Sequence, residues 1–133
     1  MTSKIIYKGD LRTEAVHLQS GTKIITDAPT DNQGKGEFFS PTDLVATSLG
    51  SCMLTIIGIA ARTHNFDIDG TEIAVTKIMG TDPRRITEVV LEFKFQQKGY
   101  SEKEKKIIQH CIDTCPVAKS LHPELKQTVK LNW

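Results

Sequence analysis

An uninterrupted run of 18 uncharged residues, Leu44 to Ala61 (LVATSLGSCMLTIIGIAA), constrains this chain more than any other feature. Eighteen such residues reach the lower length of a membrane-spanning helix. Thr47, Ser48, Ser51, Thr55, Gly50 and Gly58 interrupt the run, and no aromatic belt flanks it. The pattern therefore predicts a helix buried in a soluble core, with no membrane partner. Near its centre sits Cys52, a thiol that is either inert filler or a guarded reactive group.

Composition narrows the setting. A chain of 133 residues has material for one core and is read as a single domain over 1–133. Seventeen Lys and Arg against 16 Asp and Glu leave no electrostatic footprint for nucleic acid. The N-terminal segment MTSKIIYKGDLRTEAVHL is charged every few residues and lacks a signal-peptide core, so the expected location is cytoplasmic. Three cysteines, an odd number, fit free or redox-working thiols better than a secreted disulfide framework.

Short strands are predicted at Lys4 to Tyr7, Thr13 to Leu18 and Lys23 to Thr26, separated by the turn formers Gly9-Asp10 and Ser20-Gly21. Asp27 to Gly36 is rich in Gly, Pro, Asp and Asn and reads as an exposed loop. Ser40, Pro41 and Asp43 then carry the signals of a helix start: a capping hydroxyl, a proline in the first turn and an acid at the positive dipole end. The helix is expected to run to about His64, with a strand resuming over Thr71 to Ile78. In Thr87 to Phe95 the residues Val89, Leu91, Phe93 and Phe95 alternate with Val90, Glu92 and Lys94, as a strand with one buried face requires. Ser101 and Glu104 have the spacing of a capping box ahead of a helix whose Ile107, Ile108, Cys111 and Ile112 share a stripe. Lys103, Lys105 and Lys106 belong to its solvated face. Pro116 breaks that helix and starts a short one to Leu121, and Thr128 to Asn132 returns as a final strand. The fold class is α+β.

At about 100° per residue, Cys52 shares a helix face with Val45, Ser48, Leu49, Thr55, Ile56 and Ile59, which places it on the expected core stripe. Burial alone would make such a thiol unreactive, because it disfavours the thiolate. Cys115 stands just before Pro116, where the short helix's N-terminal dipole could favour its thiolate. Cys111 reads as a core residue.

The segment FFSPTDLVATSLGSCMLTIIGIAAR resembles the central helix of the OsmC/Ohr peroxiredoxin-like family, and HCIDTCPVAKSL resembles that family's second signature, a Cys-Pro step opening a short helix. The 63-residue separation of Cys52 and Cys115 is similar to the family's spacing. The resemblance implies an OsmC-like fold: an N-terminal β-meander, a long central helix, a β-hairpin, a second helix pair and a terminal strand, in an intertwined homodimer. It further implies a thiol peroxidase for organic hydroperoxides, and for hydrogen peroxide as well. In that role Cys52 is the peroxidatic nucleophile and Cys115 its resolving partner; a dithiol or lipoyl-type reductant restores both, and no metal or organic cofactor is needed.

Two positions depart from the family. Where typical members carry a glutamate directly after the helix-opening proline, this chain has Thr42, and no arginine lies between Glu14 and Arg62. Arg12 is the replacement candidate for the thiolate-stabilising arginine, with Glu37 or Asp43 as its acid. Asp43 precedes Cys52 by nine residues, about 180° round a regular helix, which favours a capping role for it. A non-catalytic OsmC-like protein that binds an apolar small molecule is the alternative reading. A zinc site from His110, Cys111, Cys115 and His122 is a third, with awkward spacing because His110 and Cys111 point about 100° apart on one helix.

Overall fold

The computed structural model of the chain describes residues 1–96 and 98–133. They form two compact units, Met1–Val45 and Ala46–Trp133.

The first unit is a three-stranded antiparallel meander of β1 (Ser3–Gly9), β2 (Arg12–His17) and β3 (Lys23–Asp27) in that spatial order. Gly9, Asp10 and Leu11 adopt positive φ in the first turn and Gly21 does so in the second, as the turn residues require. The loop after β3 contains one 3-10 turn, Thr30–Asn32. The turn is closed by the Asn32 and Gly34 amides donating to the Pro29 carbonyl. Ile5, Ile6, Tyr7 and Ile24 are exposed, so β1 is uncovered on both faces.

Helix α1 (Pro41–His64) begins and ends where its capping residues dictate. The Ser40 amide donates to the Asp43 carboxylate at 2.8 Å while the Asp43 amide donates to Ser40 Oγ at 3.1 Å. This is a reciprocal capping box, and it gives Asp43 its role. At the far end Asn65 takes a left-handed φ of 56°, and the Phe66 amide donates to the Ala61 carbonyl. Asn is among the few residues that enter that region at low cost, so the helix closes in a Schellman turn.

The second unit packs α1 residues from Ala46 onward with α2 (Glu102–Asp113) and α3 (Pro116–Ser120) on a second sheet. That sheet has the order β4 (Glu72–Gly80), β5 (Arg85–Lys94), β6 (Lys126–Asn132). β4 and β5 form the antiparallel hairpin, whereas β6 pairs parallel to β5. The parallel pairing follows from connectivity: α2 and α3 lie between β5 and β6 and return the chain to the same end of the sheet. β5 is therefore the central strand, and Val89, Leu91 and Phe93 are fully buried.

The buried face of α1 is Ala46, Leu49, Gly50, Met53, Ile57 and Ala61. Val45, Ser48, Thr55 and Ile59, expected on the core stripe, are instead exposed, and Cys52 is half-buried. Apolar residues occur all round this helix, so periodicity alone did not select a face. Gly50 did: a Cβ there would lie 3.3 Å from Leu91 Cδ2 and 3.4 Å from Val75 Cγ2. The missing side chain lets helix and sheet approach closely on that side.

Candidate active site

Cys52 projects from the middle of α1 and Cys115 occupies the N-cap position of α3. Their thiols hydrogen-bond to one another, so the fold brings together two cysteines 63 residues apart in sequence. Both remain free thiols. They are not equivalent: Cys115 has no exposed surface, whereas Cys52 is half-buried. Burial pushes the Cys115 thiol pKa up, and the hydrogen bond with Cys52 pushes it the same way. The amides of Ala118 and Val117 at the start of α3 pull it back down without reversing the shift.

The start of α3 does favour a Cys115 thiolate through those two amides, as its place before Pro116 predicts, but burial outweighs them. A five-residue helix offers few amides to set against the loss of solvation. The Cys115 thiol is thus favoured over its thiolate, beside the Cys52 side chain. Cys111, one turn earlier on α2, is buried in the hydrophobic core, and desolvation raises its pKa also.

The cation expected of such a site is Arg12, in the first unit. Its guanidinium makes a fork with Asp27, Nε to Oδ1 at 2.7 Å and Nη2 to Oδ2 at 2.9 Å, and Nη2 also donates to Glu37 Oε2 at 2.6 Å. The Phe38 ring lies under it, 4.7 Å from the guanidinium carbon. Glu37 is locked in turn, because its amide donates to Asp27 Oδ2. Asp27 is buried, and its pKa is held below the ordinary aspartate value chiefly by the hydrogen bond from Arg12, against the opposing effect of desolvation. The Arg12 pKa is raised by the same bond and then by the one to Glu37. A bidentate pair with a second acid fixes the guanidinium plane, which a lone surface arginine lacks.

Glu37 was foreseen as an acid for Arg12. Asp27 was not, because β3 was expected to stop at Thr26. The signal was cross-strand register: Arg12 and Asp27 are direct partners in the β2/β3 ladder, where opposite charges attract. Thr42 hydrogen-bonds with Ser40 through their hydroxyls and takes part in the start of α1. No three His, Cys, Asp or Glu side chains gather as a metal-binding group among the described residues, so His110, Cys111, Cys115 and His122 form no zinc set there.

Residues 34–130 match the family described as OsmC-like protein. The chain belongs to the OsmC-like family. A crystal structure from Psychrobacter arcticus 273-4, provisionally described as an osmotic stress induced and detoxification response protein, is 59% identical to this OsmC-like chain. It superposes with a TM-score of 0.95 over 99% of this chain and 96% of that one. OsmC like protein from Mycoplasma pneumoniae shares 21% identity with a TM-score of 0.78 over 98% and 94%. An organic hydroperoxide resistance protein OsmC from Legionella pneumophila shares 14% with a TM-score of 0.78 over 100% and 98%. The last two share the OsmC-like fold with this chain, and their likeness reaches no further. No curated protein sequence matches the chain.

Proposed function

We propose that this OsmC-like protein is a thiol-dependent peroxidase that reduces organic hydroperoxides, and hydrogen peroxide as well. The observation that carries the reading is the hydrogen-bonded pair of one accessible and one buried thiol, Cys52 and Cys115. The Cys52 thiolate attacks the distal peroxide oxygen; the O–O bond breaks, the alkoxide takes a proton and leaves as an alcohol, and Cys52 becomes a sulfenic acid. The Cys115 sulfur then attacks Cys52 Sγ, displacing the hydroxyl as water and closing a disulfide. A dithiol of lipoyl type reduces it by two successive exchanges and leaves as its own cyclic disulfide. The exposure difference supports this division of labour, since a peroxide must reach the nucleophile but need not reach the resolving thiol.

Arg12 is the proposed stabiliser of the Cys52 thiolate, and Asp27 with Glu37 are its positioning residues. The non-catalytic alternative drew on a missing acid and a missing loop arginine. An arginine clamped by two acids lessens its force. We further propose a homodimer in a cytoplasmic setting. Exposed Ile5, Ile6 and Tyr7 on β1, and Val45 and Ile59 on α1, are apolar surface that a second copy would cover.

The test is catalytic: consumption of cumene hydroperoxide with dihydrolipoamide as reductant. Turnover that falls to background in Cys52→Ser is expected. Equal turnover by that variant contradicts the proposal.

A further inference from the structure

Within the second unit, α1 near its C-terminus and α2 line an open surface cleft of about 520 Å³, within the size range of small-molecule sites. From α2 come Lys103, Lys106, Ile107 and His110, spaced as one helix face; from α1 come Ala60 and His64, one turn apart. The floor is apolar, made by Ala60 and Ile107 with the buried Cys111, and no carboxylate lines the cleft.

The lysines are oddly placed for a solvated helix face. Lys103 and Lys106 fall within the first five residues of α2, the end where the dipole disfavours cations. The other charges there are occupied: Lys105 pairs with Glu102 at 3.3 Å and lies over the Trp133 ring, and Glu104 accepts the Ser101 amide. Lys103 and Lys106 have no acidic partner among the described residues. Two unneutralised ammonium groups above an apolar floor complement a ligand that carries one anionic end and an aliphatic body.

We propose that this cleft binds an aliphatic carboxylate, its head between Lys103 and Lys106 and its chain on Ala60 and Ile107. The His64 and His110 rings contribute N–H donors at the rim. The site is separate from the Cys52 chemistry and does not depend on the peroxidase proposal.

Calorimetric titration of the reduced full-length protein with decanoate, decanol and acetate tests it. One decanoate should bind per chain, with decanol, which lacks the charge, and acetate, which lacks the tail, each at least about tenfold weaker. Replacing the pair as Lys103→Gln with Lys106→Gln should weaken decanoate about tenfold while thermal unfolding stays unchanged, because both side chains are exposed. Absence of decanoate binding, equal affinity for decanol, or an affinity indifferent to the lysine replacements would each overturn the assignment.

Discussion

The thiol of Cys115, wholly buried at the start of α3, hydrogen-bonds with that of half-buried Cys52 on α1. One cysteine is partly exposed and the other is fully buried. Removing either should therefore have a different consequence. In Cys115→Ser the sulfenic acid formed at Cys52 has no neighbouring thiol to condense with, so it should persist and be trapped by dimedone. Cys52→Ser should give no dimedone adduct at all. Intact mass spectrometry after one equivalent of peroxide distinguishes the two variants.

The Arg12 clamp depends on a glycine outside it. A Cβ at Gly34 would lie 1.6 Å from the Ala28 carbonyl oxygen, so no side chain fits without moving the loop. That loop leads directly to Glu37, which holds both Arg12 and Asp27 in place. Gly34→Ala should destabilise the protein by about 1–3 kcal/mol and lower peroxidase kcat/KM by about tenfold. Arg12→Ala should lower it by about 10²-fold. Steady-state kinetics alongside denaturant unfolding read both effects.

Asp27 makes acid stability predictable in sign. Its folded pKa lies below the ordinary aspartate value of about 3.9, because Arg12 favours the carboxylate. The stabilisation is thus fully present above that ordinary value and is lost as pH falls through the lower, folded value. Asp27→Asn should unfold at lower temperature than the parent at pH 6 to 7, and the gap should close at strongly acid pH. Thermal unfolding across that range checks it; a gap that widens toward acid contradicts the assignment.

The α2 cap offers a test of the second unit alone. Ser101 Oγ accepts the Glu104 amide at 3.2 Å, and the Glu104 carboxylate accepts the Ser101 amide at 2.7 Å. Ser101→Ala should cost about 1 kcal/mol, read by denaturant midpoint at constant slope.

Local signals in the sequence carried much of this architecture. Ser40, Pro41, Asp43, Ser101 and Glu104 marked the helix starts because a cap is encoded by adjacent residues. The alternation of Val89, Leu91 and Phe93 marked the central strand because burial on one sheet face has period two. Non-local choices were hidden. The buried face of α1 was decided by close approach at Gly50, which an all-round apolar helix does not declare. The parallel alignment of β6 depends on the path through α2 and α3. Asp27 became the main partner of Arg12 only through strand register, and its place in a Gly- and Pro-rich sequence disguised it as loop. The family resemblance supplied Cys52 and Cys115 as a pair, since helix geometry alone gave no reason for Cys52 to react.

Cys52 and Cys115 are proposed to form one redox unit. Its most direct test is thiol mapping by peptide mass spectrometry after the reduced protein receives one equivalent of cumene hydroperoxide. A Cys52 to Cys115 disulfide is expected, with Cys111 still a free thiol. Recovery of Cys52 as an unmodified thiol, with the peroxide unconsumed, would contradict it.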